Sequence, residues 1–217
     1  MVTLRAREIT LEEVETILGF IPRYDGNFND FLNLEPLTDL DRQDLQQIRA
    51  EFLGYLRRGQ LSEGQARLIS INPMLRLAGY HRAPIELRVE EDIQHIYIED
   101  KDTHIRGRFD LVAVNRMVKT SPTTLLWVLI VESKNVAASE FAGVAQMLTY
   151  AYSSLAQQSA VWGLVSNGAT YQLFHVAKAE ALTYQYMPTL SLIESDRALQ
   201  LLQVLKAIRN WNPEATP

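Results

Sequence analysis

The sequence predicts an α/β fold: a central mixed sheet flanked by helices, with a helical extension ahead of it. Three observations carry this. Leu125 to Val131 is an uncharged apolar run rich in branched residues, which suits a strand buried on both faces. Ser139 to Ala156 reads as a helix and lies between that run and a second apolar strand, Val161 to Ser166, so the two strands can pair in parallel through a crossover. Asn167-Gly168 then signals a type I′ hairpin, with Ala169 to Val176 returning antiparallel.

Residues 1–60 form the expected extension, and 61–217 the main domain. Thr10 with Glu13 is a capping box opening a first helix through Leu11, Val14, Ile17 and Leu18. Phe20 to Pro36 reads as a loop, rich in Pro, Gly, Asn and Asp. Thr38 caps a second helix running to about Arg58, with Leu45, Ile48, Phe52, Tyr55 and Leu56 as its apolar stripe. Ser62 with Gln65 caps a third, which Pro73 breaks or restarts and Gly79 ends. Strands follow at Ile85 to Glu90, Ile93 to Glu99 and His104 to Asn115, with Glu99 to Asp102 as a turn. An amphipathic helix from about Ile193 to Trp211 closes the chain.

A chain of 217 residues is long enough for one domain with a substantial core, and 47% apolar with 22% charged residues is ordinary for a soluble globular protein. The absence of cysteine excludes disulfides and thiolate metal sites and suits a reducing cytoplasm, the expected location. MVTLRAREITLEEVE has no apolar secretory core, and no run approaches a membrane span. A net charge of −5 works against non-specific DNA binding, which rests on phosphate neutralisation. Local basic patches, or Mg²⁺ together with a partner, would have to supply the affinity.

Chemistry concentrates at Asp110 and at Glu132-Ser133-Lys134, at the far end of the core strand. Strand alternation sends Glu132 and Lys134 to one side and Ser133 to the other, and Asp110 on a neighbouring strand is expected on the Glu132 side. Two carboxylates and a lysine converging there suit a divalent-metal nuclease. Hard cations prefer oxygen ligands, so Asp110, Glu132 and the Ser133 carbonyl would hold Mg²⁺, or Mn²⁺ in its place. Lys134 would orient the attacking water or stabilise developing negative charge.

These residues resemble the PD-(D/E)XK nuclease superfamily, with Phe109-Asp110 in place of the usual proline-aspartate and Glu132-Ser133-Lys134 as the (D/E)XK half. Gln146 and Tyr150, one helical turn apart, fit the QxxxY motif of the RecB-like and type I restriction branches. Ser62 to Tyr80 resembles the opening helix of the nuclease domain of type I restriction R subunits, where Glu63 matches a glutamate that often joins the site as a further metal ligand. The resemblance spans roughly Ser62 to Val176 and implies an αβββαβ restriction-endonuclease-like core and a DNA substrate. In such a family Gln146 and Tyr150 would border the site and orient substrate or metal waters.

Arg106, Arg108, Arg116 and Lys119 are the expected DNA contacts, with Arg76, Arg82 and Arg88 further candidates, since a guanidinium grips phosphate through two hydrogen bonds. His81, His95, His104 and His175 are scattered, with no HExxH pairing. GxSxG and GxxxxGK[ST] are both absent, which argues against serine hydrolysis and leaves the chain without a P-loop motor, a departure from an intact R subunit. The expectation is therefore a Mg²⁺-dependent deoxyribonuclease, as a homodimer or with partner subunits of a restriction or helicase complex. The alternatives are a catalytically silent DNA-binding or protein-interaction module on the same fold, and a nuclease acting on RNA or in repair.

Overall fold

The computed structural model describes residues 2–93, 96–98, 103–121, 124–138 and 143–213. Its main sheet is mixed and eight-stranded. The strands are β2 (Phe20–Arg23), β3 (Ile85–Val89), β6 (Leu111–Lys119), β7 (Leu125–Ser133), β8 (Ala160–Ser166), β9 (Thr170–Lys178) and β10 (Leu182–Tyr186) in the order 2-10-9-8-7-6-3, with β11 (Leu190–Ser191) beside β9. β7 and β8 pair in parallel, as do β2 and β10, and the other contacts are antiparallel. A separate three-stranded sheet holds β1 (Val2–Arg5), β5 (Thr103–Arg106) and β4 (Ile96–Ile98), in the order 1-5-4.

The apolar core strand β7 is buried almost throughout and separates two cores. On one face Leu129 and Val131 join α2 (Asp39–Leu56), α4 (Asn72–Leu77) and α6 (Ser195–Arg209) around Trp162, Leu173 and Leu205. On the other, Ile130 joins α1 (Leu11–Leu18) and α5 (Val144–Ser154) around Met147, Val161 and Phe174. The small sheet turns Leu4, Ile96 and Ile105 into this second core.

Capping boxes form at Thr10 with Glu13, Thr38 with Asp41 and Ser62 with Gln65, each satisfying first-turn amides as expected. Pro73 does not break its helix. α3 (Glu63–Ala66) widens into a π turn over Arg67–Ile71, closed by an Asn72 N–H to Arg67 carbonyl bond, and continues into α4. That turn accommodates a ring with no N–H to give to the preceding turn. Gly79, at φ +91°, ends the helix.

Four expectations need correction. Residues 1–60 are not purely helical: β1 joins the small sheet, and Phe20–Arg23, expected as loop, is the edge strand β2. The expected strand His104 to Asn115 is two, β5 and β6, in different sheets with Gly107 between them. A Cβ at Gly107 would lie 2.8 Å from both the Ala6 methyl and the Tyr150 ring, so the chain turns there against other groups. The β8–β9 hairpin is not type I′, because only Gly168 has positive φ; Asn167 Oδ1 instead accepts from the Ala169 and Thr170 amides in a four-residue loop. β10 was not among the expected strands. The expected turn Glu99 to Asp102, His95, and the start of the Ser139 to Ala156 helix lie outside the described residues, and its described part is α5.

Candidate functional site

The site forms where β7 ends. Along that strand Glu132 faces α5 and Ser133 faces the α3–α4 helix, as strand alternation requires. Lys134 keeps its amide on β8 through the Ser166 carbonyl at 2.9 Å, and its Nζ turns back to Glu132 Oε1 at 2.6 Å. Gln146 Oε1 also accepts from Nζ at 3.4 Å. Gln146 Nε2 donates to the Tyr150 hydroxyl at 2.7 Å, and that hydroxyl donates to the Arg108 carbonyl at 2.7 Å. This chain spans i and i+4 of α5 and fastens the helix to the segment preceding Asp110.

Gly143 is what lets α5 begin so close. At φ +94°, its absent Cβ would stand 2.7 Å from Lys134 Cε and 3.0 Å from Glu132 Cγ. Any side chain there meets the site itself.

Asp110 was expected at a strand end on the Glu132 side; it precedes β6 and binds Ser133 instead. Its Oδ2 accepts from the Ser133 amide at 2.8 Å and from Ser133 Oγ at 2.5 Å. Its Oδ1 meets Arg67 Nη2 at 3.1 Å. The two acids thus flank the Glu132–Ser133 peptide. Arg67, not singled out from the sequence, is the organising cation: Nη2 also reaches Glu63 Oε1 at 3.0 Å, Nη1 reaches Glu90 Oε1 at 3.4 Å, and Nε donates to Ser133 Oγ at 3.1 Å. Glu63 is brought within one guanidinium of Asp110. Its i, i+4 spacing to Arg67 was the available signal, but nothing local told this pair from an ordinary helix ion pair.

Glu90 completes the ring with left-handed backbone, φ 54°, rare for a residue with a Cβ. Its amide donates to the Asp110 carbonyl at 3.1 Å, and its carboxylate also takes Arg108 Nη2 at 2.8 Å.

Glu132 is 2% exposed, and its Oε2 has no hydrogen-bond partner. Burial, and then the Asp110 charge, push its carboxyl up to about 8, against the opposing pull of Lys134. Desolvation prevails because half of the carboxylate has no donor. Tyr150 is also raised, first by burial and then by Glu132. Among the described residues no three His, Cys, Asp or Glu side chains meet at metal-ligand spacing. A Mg²⁺ site does not require three: one or two carboxylates with water and substrate oxygens is its usual shell. The orphaned, buried Oε2, with the Asp110 charge close enough to act on Glu132, fits such a cation.

A cleft of about 680 Å³ opens beside Gln146 and Tyr150, lined by Arg5, Arg7, Arg106 and Arg108 among others. Arg106 and Arg108 therefore lie near the site. Arg116 and Lys119 do not: they sit toward the far end of β6, about 20 to 30 Å along the strand, with Arg116 on Glu86. Arg88 also pairs with Glu86, and Arg76 and Arg82 line a larger groove of about 1230 Å³ between α2, α4 and α6, away from the acids. His81, His104 and His175 do not cluster at the site.

No protein-family model and no curated protein sequence matches the chain. Among solved structures, it is similar to a fragment described as an HsdR subunit of a type I restriction enzyme from Vibrio vulnificus, at 15% identity and a TM-score of 0.38, covering 66% of this chain and 25% of that one. The chain thus spans about a quarter of that relative's length. No helix among the described residues is long and apolar enough to cross a membrane.

Proposed function

We propose that this protein is a metal-dependent endonuclease hydrolysing DNA phosphodiester bonds, a PD-(D/E)XK-type domain like that of type I restriction R subunits. One observation carries the reading: a buried carboxylate, Glu132, with one oxygen on Lys134 and the other unpartnered, beside a second acid, Asp110. The succession of α3–α4, three antiparallel strands β3, β6 and β7, helix α5 and parallel β8 supports it as an αβββαβ core.

Asp110, Glu132 and the Ser133 carbonyl would hold Mg²⁺ or Mn²⁺, with Glu63 on its margin. When bound, the ion supplies charge neutralisation at the phosphate and a more acidic water. Lys134 holds its ammonium where negative charge develops, kept in place by Glu132 and Gln146. Tyr150 fixes Gln146, and through it the Lys134 head group. Gly143 and α5 exclude bulk water from Glu132.

A second reading has an observation of its own. Arg67 already occupies Asp110 and Glu63, as a resident cation would in a catalytically silent module that binds DNA or protein. Incubation of linear, circular and single-stranded DNA with Mg²⁺ or Mn²⁺ separates the two. Cutting by wild type, lost in Lys134→Ala and Asp110→Ala, supports the nuclease. Absence of both cutting and Mn²⁺ binding in a folded wild type leaves the silent module.

A further inference from the structure

We infer that the outer face of the three-stranded sheet β1–β5–β4 is a platform for single-stranded DNA that leads a strand into the cleft beside Lys134. Register separates its two faces. Leu4, Ile105 and Ile96 stand in one row turned into the core, which leaves Thr3, His104 and Tyr97 in a row on the other face, with Arg5 and Arg106 side by side in the next. Tyr97 is 49% exposed, and its ring stacks on His104 with centroids 4.5 Å apart and planes at 29°.

The two arginines make the case for an anion. Like charges at registered positions on paired strands repel unless something lies between them. Among the described residues Arg5 has a loose, solvated contact with Glu8 at 3.5 Å, and Arg7 shares that same acid at 3.6 Å. No acid pairs with Arg106 among the described residues. A row of phosphates would relieve this crowding.

The platform is continuous with the proposed active site. Thr3, Arg5, Arg7 and Arg106 line the same cleft as Gln146 and Tyr150, and Gln146 touches Lys134. Four arginines face that cleft against one lining acid, Asp92; Arg108 is held closely by Glu90 at 2.8 Å, while Arg5 and Arg7 share the looser contact with Glu8. An anionic strand therefore finds a local basic path on a chain whose net charge is −5. Aromatic rings flanked by arginines suit unpaired bases, whose faces are free to stack, whereas bases in a duplex already stack on each other. The inference rests on the nuclease reading for its choice of DNA, but the binding it describes needs no catalysis.

The test is fluorescence anisotropy with a labelled oligothymidine in EDTA, across a salt series. For wild type, single strands should bind more tightly than duplex of equal length. Arg5→Ala/Arg106→Ala should flatten the slope of log affinity against log salt by about 1.4, since each single-strand phosphate contact contributes about 0.7. Tyr97→Ala should weaken binding about fivefold or more without changing the slope, as loss of one stacked base does. Arg197→Ala, on the exposed side of α6, is the charge control, and thermal melts verify folding. Unchanged affinity and slope in both platform variants, tighter binding to duplex, or tighter binding to oligouridine would each overturn the inference. Cleavage that survives in platform variants with unaltered binding would sink the platform while leaving the nuclease standing; binding without cleavage would do the reverse.

Discussion

Replacing Glu132 by Gln tests the electrostatics of the site without removing volume. Glu132 is almost wholly buried, and its carboxyl is displaced from 4.5 to about 8. The folded protein therefore holds this proton more tightly than the unfolded chain does. Its stabilising contribution is complete below pH about 4.5, falls as pH rises, and is gone by pH about 8. At about 1.4 kcal/mol per pH unit, that interval is worth about 5 kcal/mol. In a domain of this size 1 kcal/mol moves Tm by about 2–4 °C, so the effect amounts to about 10–20 °C.

Glu132→Gln cannot titrate, and it preserves an acceptor for Lys134. Its Tm should match wild type near pH 4.5 and exceed it progressively to pH 8, when both are melted in EDTA. Titrations common to both proteins cancel in the difference. Parallel Tm–pH curves would refute the reasoning, because they would mean that Glu132 ionises in the fold as easily as in water.

Arg67→Met strips Glu63, Glu90 and Asp110 of a shared cation and should cost about 1–3 kcal/mol by thermal melt; saturating Mn²⁺ should raise Tm more in this variant than in wild type. Gly143→Ala places a Cβ on Lys134 Cε at a left-handed φ, so Tm should drop by the equivalent of about 1–2 kcal/mol and DNA cleavage should fall at least about tenfold. Burial alone pushes His175 down to about 4, against Phe31, Trp162 and Trp211, so its stabilising contribution is lost as pH falls from 6.5 to about 4. His175→Leu should abolish up to about 3 kcal/mol of acid sensitivity in that window, read as a flatter Tm–pH curve. Mn²⁺ binding at pH 7 should release a proton from wild type and close to none from Glu132→Gln, measured by calorimetry in buffers of different ionisation enthalpy.

What could be read from the sequence was local or periodic. The capping boxes at Thr10 and Ser62 need only residues three apart, and the apolar run of β7 declares burial on both faces. The parallel β7–β8 pair followed from a helix lying between two strands. By contrast, the break at Gly107 was hidden because residues on both sides of it suit a strand; only the approach of Ala6 and Tyr150 shows why the chain leaves one sheet for another. β2 is a short edge strand containing a proline, and its pairing with the equally short β10 depends on closure between residues far apart in the chain. The Asp110, Glu132 and Lys134 set was visible as types and spacing. Arg67 was not, since its importance arises only when the fold sets Asp110 and Glu90 around a helix that carries Glu63.

The predicted proton release follows from the charges that meet at the end of β7. Glu63, Glu90, Asp110 and Glu132 face three cations, Arg67, Arg108 and Lys134, through direct contacts. With Glu132 ionised the cluster carries one negative charge; with Glu132 protonated it is neutral. Glu132 is the buried member of that cluster, and its desolvation, followed by the Asp110 charge, favours the protonated carboxyl, while the more exposed acids are paired to cations. Exchanging that proton for a divalent ion leaves the cluster one charge positive, the sign that attracts a phosphate. In Glu132→Gln the exchange has no proton to release, and the same ion would leave the cluster two charges positive without its buried ligand. Its Mn²⁺ affinity should fall together with the proton count. A normal affinity with no proton released would place the ion on Asp110 and Glu63 instead, on the Arg67 side of the strand.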